Sequence, residues 1–207
     1  MAITLENVDF AYPSGRTVLE RFSLTLPERG AVCLFGPSGC GKSTLLRLLA
    51  GLEKPQGGQI DGLPPSAAVV FQENRLLPWL TAQENVALPL ERLLTKREAA
   101  ARAGEWLKRV SLADAAGLYP AALSGGMQRR VAIARALAFP AGLLLLDEPF
   151  SGLDEALWRE LARLIARERA ERPTVLVTHI REEAEAMGAA LLPLAGPPLR
   201  RAEPPVP

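Results

Sequence analysis

The chain predicts an α/β fold: a mostly parallel sheet covered on both faces, a small N-terminal antiparallel lobe, and an inserted helical subdomain. Three observations carry this. Short apolar runs at residues 31–35, 67–71, 143–146 and 174–177 are separated by helical patterns, as expected for strands of a doubly covered parallel sheet. Before them, Ile3, Leu5, Val8 and Phe10, then Phe22, Leu24 and Leu26, alternate as half-buried strands around a Tyr12-Pro13-Ser14-Gly15 turn. Between residues 78 and 123 the texture changes to Ala, Leu, Glu, Lys and Arg.

Element by element, the run at 31–35 leads into Gly36-Pro37-Ser38-Gly39-Cys40-Gly41-Lys42-Ser43 and a helix over residues 45–50. Capping-box patterns at Thr81-Ala82-Gln83-Glu84 and Thr95-Lys96-Arg97-Glu98 start helices inside the inserted stretch. Ser124 caps an amphipathic helix over 127–138, whose Arg129-Arg130 pair reads as a solvated face. From residue 195 to 207 the chain is too rich in Pro for a helix or a central strand, and a surface or disordered tail is expected. With 207 residues and no internal repeat, one domain is expected.

Composition excludes several functions. A net charge of +1 gives no clustered, uncompensated cation for a nucleic-acid backbone. The longest apolar stretch, residues 136–146, is broken by Pro140 and Gly142 and falls short of a membrane span, for which about 20 residues are needed. The first residues run straight into strand-like alternation, so no signal peptide and a cytoplasmic location are expected. Cys33 and Cys40 are then expected as free thiols.

The chemistry is concentrated in a few residues. Phosphates are held by convergent backbone N–H groups, a helix N-terminus and a cation. The loop from Gly36 to Ser43 supplies all three: its glycines let the backbone wrap, Lys42 reaches the β- and γ-phosphates, and the Ser43 hydroxyl, with Thr44 beside it, is a ligand for Mg²⁺. Asp147 ends a strand of four leucines and aims a carboxylate at the metal's water shell; Glu148, next to it, is the candidate general base for water attacking the γ-phosphate. Ser124-Gly125-Gly126 leaves N–H groups exposed at a helix start, which alone is a commonplace cap.

Together, the phosphate loop, Leu123-Ser124-Gly125-Gly126-Met127-Gln128 and the leucine strand ending in Asp147-Glu148 resemble the ATP-binding cassette (ABC) ATPases, a phosphate-loop NTPase family, over nearly the whole chain. The resemblance implies an ATP- and Mg²⁺-dependent ATPase working as a head-to-tail dimer of two copies. Ser124, Gly125, Gly126 and Gln128 would then contact the γ-phosphate held by the opposite copy. It implies further that His179 is the switch histidine, that Gln72 senses Mg²⁺ or the attacking water, and that Asp154, in Ser151-Gly152-Leu153-Asp154, acts on the partner's site. Ile180 departs from the Asp that many members carry. Tyr12 sits where the family stacks an aromatic on adenine, and simple packing fits it equally.

Residues 70–81, with Pro78-Trp79, look most like ATP-binding subunits of nitrate, sulfonate and taurine importers. That implies a membrane permease docking near Leu77 and Trp79, either of which could equally be core, a cytoplasmic place at the inner face of the membrane, and an indirect link to a solute-binding protein. Leu76-Leu77-Pro78 and residues 84–90 also fit ATPases of lipoprotein or lipid exporters and cell-division complexes. A soluble non-transport ATPase is disfavoured by the lack of a coiled-coil insertion, zinc-binding cysteines or a second cassette.

Overall fold

A computed structural model describes residues 2–169 and 172–202. Strand β1 (Ile3–Ala11) pairs antiparallel with β2 (Thr17–Leu26). Its apolar positions step by three from Leu5 to Val8 because a bulge with Asn7 at φ 48° takes up one extra residue. On its other edge β1 pairs with β4 (Gly57–Asp61), giving the sheet order β2-β1-β4.

The main sheet is built on β3 (Ala31–Phe35), β5 (Ala67–Val70), β6 (Leu143–Asp147) and β7 (Thr174–Val177), extended by β8 (Ala189–Ala195) and β9 (Arg200–Arg201) in the order β5-β6-β7-β3-β8-β9. All pairings are parallel except β8 with β9. Alternation along β6 divides its leucines between two cores. Leu143 and Leu145 join the antiparallel lobe and helix α1 (Lys42–Leu49), whereas Leu144 and Leu146 join the helices on the opposite face. Each buried leucine side chain contributes roughly 2 kcal/mol by area, so both faces hold β6, the strand that ends in Asp147, in place.

The inserted stretch forms α2 (Ala82–Ala87) and α3 (Lys96–Arg109), followed by α4 (Gly125–Ala138). Both predicted capping boxes are present: Thr81 and Thr95 accept from the backbones of Glu84 and Glu98, whose carboxylates reach back to the threonines. Those bonds hold both carboxyls below the usual carboxylate range. Helices α5 (Glu155–Glu168) and α6 (Arg181–Ala186) precede the last strands.

Among the described residues the Pro-rich end runs largely over the surface, with Pro197, Pro198, Arg200 and Arg201 exposed, but it is tied to the sheet. Ala195 belongs to β8, Arg200 and Arg201 pair with its end, and Leu199 is buried with its N–H donating to Val18 O at 2.7 Å. An apolar side chain among the prolines can still fill the core, and β9, at the sheet edge, loses little by lacking further partners. The final prolines, Pro204, Pro205 and Pro207, lie outside the described residues. Among the described residues, no helix is long and apolar enough to cross a membrane.

Candidate functional site

The loop between β3 and α1 closes on itself. Lys42 is buried, and its Nζ donates to Gly36 O and Pro37 O at 2.7 Å each, with Cys40 Sγ at 3.7 Å. Two positions require glycine. Gly41 caps α1 at φ 119°, a left-handed conformation that other residues avoid, and a Cβ on Gly36 would lie 2.3 Å from Leu194 O. Helix α1 begins at Lys42, inside the loop, so its first N–H groups face the space that Lys42 borders.

That space is a cavity of about 230 Å³ lined by Tyr12, Arg16, Val18, Ser38, Gly39, Gly41, Lys42, Ser43, Thr44, Gln72, Glu148 and Val177. Tyr12 is packed and also reaches the cavity wall. It borders the cavity, packs edge-on against Phe10 with ring centroids 5.1 Å apart, and pairs its hydroxyl with Thr44 Oγ1 at 3.1 Å. Cys40 is instead fully buried in the core behind the loop and does not line the cavity, its thiol lying beside the Lys42 ammonium. Both cysteines are free and buried, and burial pushes the Cys33 thiol up to about 12.

Asp147 is buried at the end of β6. Burial raises its carboxyl above the ordinary value; the Ser43 hydroxyl, bonded to it, works in the opposite direction. Glu148 follows at φ 46°, fixed by its N–H donating to Val177 O at 2.9 Å. A left-handed glutamate is strained, and this bend turns its carboxylate away from the sheet toward two partners. Gln72 Nε2 reaches Oε2 at 3.4 Å, and His179 Nδ1 lies 3.7 Å from Oε1. Gln72, Glu148 and His179 therefore meet, although they are spread over more than one hundred residues of sequence.

Ser43, Gln72 and Asp147 also border an adjoining cavity of about 110 Å³. Their hard oxygens, two of them already bonded to each other, suit Mg²⁺, which takes oxygen ligands and keeps several waters. Among the described residues, no group of three or more His, Cys, Asp or Glu side chains is placed to hold a metal alone. The remaining ligands would have to come from phosphate and water.

The second group of predicted residues lies elsewhere. Ser124 caps α4 and accepts from Met127 N at 3.3 Å; Gln128 Nε2 braces the approach by donating to Pro120 O and Leu123 O. Asp154 caps α5 through Leu157 N at 3.0 Å. Neither these side chains nor Gly125 and Gly126 line the cavity. The helix begins at Gly125, so both glycines sit in its first turn rather than ahead of it.

The reading of Arg129-Arg130 as a solvated face is wrong. Arg129 is 5% exposed and donates to Phe71 O and Gln72 O at 2.6 Å each; Arg130 donates to Val110 O and Ser111 O at 3.0 Å. Helix α4 is buried almost all round from Val131 to Ala138, and that run of apolar residues was the signal that a charge beside it would need internal partners. Sequence reasoning also missed Arg16, whose Nη2 donates to Gly39 O at 2.9 Å on the cavity wall. Asn85 was missed too. It is buried and bonds to Leu77 N, Leu77 O, Leu80 O and Thr81 O, fixing the loop that leaves Trp79 69% exposed.

Residues 19–151 match the family described as ABC transporter. The chain is 43% identical over 206 residues to the taurine import ATP-binding protein of Rhizobium johnstonii, covering 94% of this chain and 79% of that one. It is 48% identical over 185 residues to an aliphatic sulfonates import ATP-binding protein of Rhodococcus jostii, covering 86% and 73%. With the bicarbonate transport ATP-binding protein of Synechocystis it shares 43% over 197 residues, covering 88% and 70%. Among solved structures, an ATP-binding cassette in a dimeric post-hydrolysis state bound to ADP and Pi superposes with a TM-score of 0.81 at 34% identity, covering 89% of this chain and 90% of that one.

Proposed function

The chain belongs to the ABC transporter family, and from this premise we propose that it binds and hydrolyses ATP to power a membrane importer of a small anionic solute such as taurine, a sulfonate or nitrate. One observation carries the reading: Lys42, Gln72, Glu148 and the start of α1 converge on a single cavity, in a chain whose relatives are named import ATP-binding proteins.

The geometry supports the following division of labour. Backbone N–H groups at the start of α1 and the Lys42 ammonium hold the β- and γ-phosphates, Lys42 exchanging Gly36 O and Pro37 O for phosphate oxygens. Ser43, Asp147 and Gln72 hold Mg²⁺, which when bound neutralises charge on the transferring phosphoryl group. Glu148 accepts a hydrogen bond from the attacking water and takes its proton, while Gln72 and His179 fix that carboxylate and face the γ-phosphate. Tyr12 takes the adenine.

Ser124, Gly125 and Gly126, outside this cavity, serve the ATP of a second copy in a head-to-tail dimer, with Gln128 bracing the turn and Asp154 opposite the partner's site. The dimeric cassette with ADP and Pi supports that arrangement. Trp79, exposed on a loop pinned by Asn85, is an apolar anchor for a permease on the inner membrane face. A solute-binding protein would connect through that permease.

The test is a detergent pull-down of tagged protein from its native membranes, with the wild type and Trp79→Ala in parallel. Recovery of an importer-type permease, reduced by Trp79→Ala, supports the proposal. Recovery of an exporter or division-type membrane protein would contradict it.

A further inference from the structure

Gln72 reaches Glu148 from a loop that has little secondary structure of its own, so something else must fix its backbone. The fixing group is Arg129. Its guanidinium is buried, and its two terminal nitrogens are spent on adjacent carbonyls, Phe71 O and Gln72 O, at 2.6 Å each. A planar fork meets two successive carbonyls from two nitrogens held at a fixed spacing, whereas a lysine ammonium, as at Lys42, has to reach both from a single nitrogen. The carboxylates of Asp147 and Glu148 lie close enough to oppose the effect of burial on the cation. Six residues along the same helix, Arg135 repeats the pattern on Asn74 O and Arg75 O at 2.9 Å. Two forks from one helix therefore hold four carbonyls of one loop, and the helix that provides them is the one Ser124 caps.

We propose that Arg129 is a positioning residue for hydrolysis: by clamping the Gln72 backbone to α4 it keeps the Gln72 amide on Glu148, so that a movement of the Ser124 cap is delivered to the water-activating carboxylate. This rests on the reading of Gln72 as the residue that orients Glu148 and water. A plain structural role for Arg129 would lower stability and ATP affinity without any particular link to Gln72. The clamp instead touches neither Lys42 nor the phosphate loop, so its loss falls on turnover.

The test is a double-mutant cycle on steady-state ATPase activity with Arg129→Lys, Gln72→Ala and the combination, alongside thermal melts. Arg129→Lys keeps the charge and loses the fork; kcat should fall on the order of tenfold, with KM for ATP within about twofold of wild type. Gln72→Ala should cause a similar fall, and the double variant should be no worse than the poorer single variant to within about twofold, because both remove one function. Should Arg129→Lys not fold, Arg129→Gln takes its place. A double variant about a hundredfold down, the product of independent losses, would overturn the clamp and leave the Gln72 reading intact. Full activity of Gln72→Ala would overturn both.

Discussion

Two helix N-termini, those of α1 and α4, are each preceded or opened by Ser and Gly, and each offers free backbone N–H groups, yet they sit in different company. At α1 the same chain supplies a cation in Lys42, an enclosing loop, and a wall bearing Gln72 and Glu148. At α4 there is a serine cap, a first turn of two glycines without an acidic or basic residue, and no enclosing wall from the cavity residues. A helix start attracts anions with only a fraction of a unit charge. It becomes a triphosphate site when a cation and a wrapped backbone join it, which α1 has. Helix α4 has neither, and under the proposed shared site a second copy is the body that brings a phosphate to it.

The comparison can be broken at its stronger end first. Lys42→Ala removes the only side-chain ammonium that lines the main cavity among the described residues and leaves Gly36 O and Pro37 O without their donor. ATPase activity should fall by at least about a hundredfold, and ATP binding, read by fluorescent-nucleotide titration, should weaken strongly. Retention of wild-type affinity would show that the α1 end does not depend on its cation. Glu148→Gln should leave that affinity in place while lowering kcat by roughly 10²–10⁴-fold. Hydrolysis at the wild-type rate would remove Glu148 as the base.

A smaller effect sharpens the electrostatics of the α1 end. Burial raises the Asp147 carboxyl above 3.8 even with Ser43, Lys42 and Arg47 acting to lower it. The folded protein therefore binds that proton more tightly than the unfolded chain. Stability from this group is fully present below 3.8 and is lost as pH rises through the raised value, leaving the carboxylate as a burden at neutral pH. Asp147→Asn should raise the melting temperature of nucleotide-free protein, while abolishing Mg²⁺-dependent hydrolysis. A lower melting temperature would mean that the attraction to Lys42 outweighs burial.

The α1 end was legible from sequence because its requirements are local: a strand, a Gly-rich loop and a helix start follow one another within about twenty residues. Strands β3, β5, β6 and β7 were legible because each is an unbroken apolar run. Strand β4 was hidden by Gly57 and Gly58, which pack no side chain, and β8 by Pro193 within a run only half buried. Arg129 escaped because its partners are backbone carbonyls, which every residue has, so no residue pattern betrays them. The nearness of Gln72, Glu148 and His179 depends on β5, β6 and β7 lying side by side; spacing along the chain does not contain it. The role of the α4 end came from resemblance, since a serine cap by itself is ordinary.

The most direct measurement of that difference between the two ends is the mass in solution of Glu148→Gln, alone and combined with Ser124→Arg, with ATP and Mg²⁺ present, by analytical ultracentrifugation. Slow turnover should trap Glu148→Gln as a dimer. The added Ser124→Arg, outside the lining of the protein's own cavity, should leave ATP bound and return the mass to that of a monomer. A dimer that persists with Arg at position 124 would contradict the shared site.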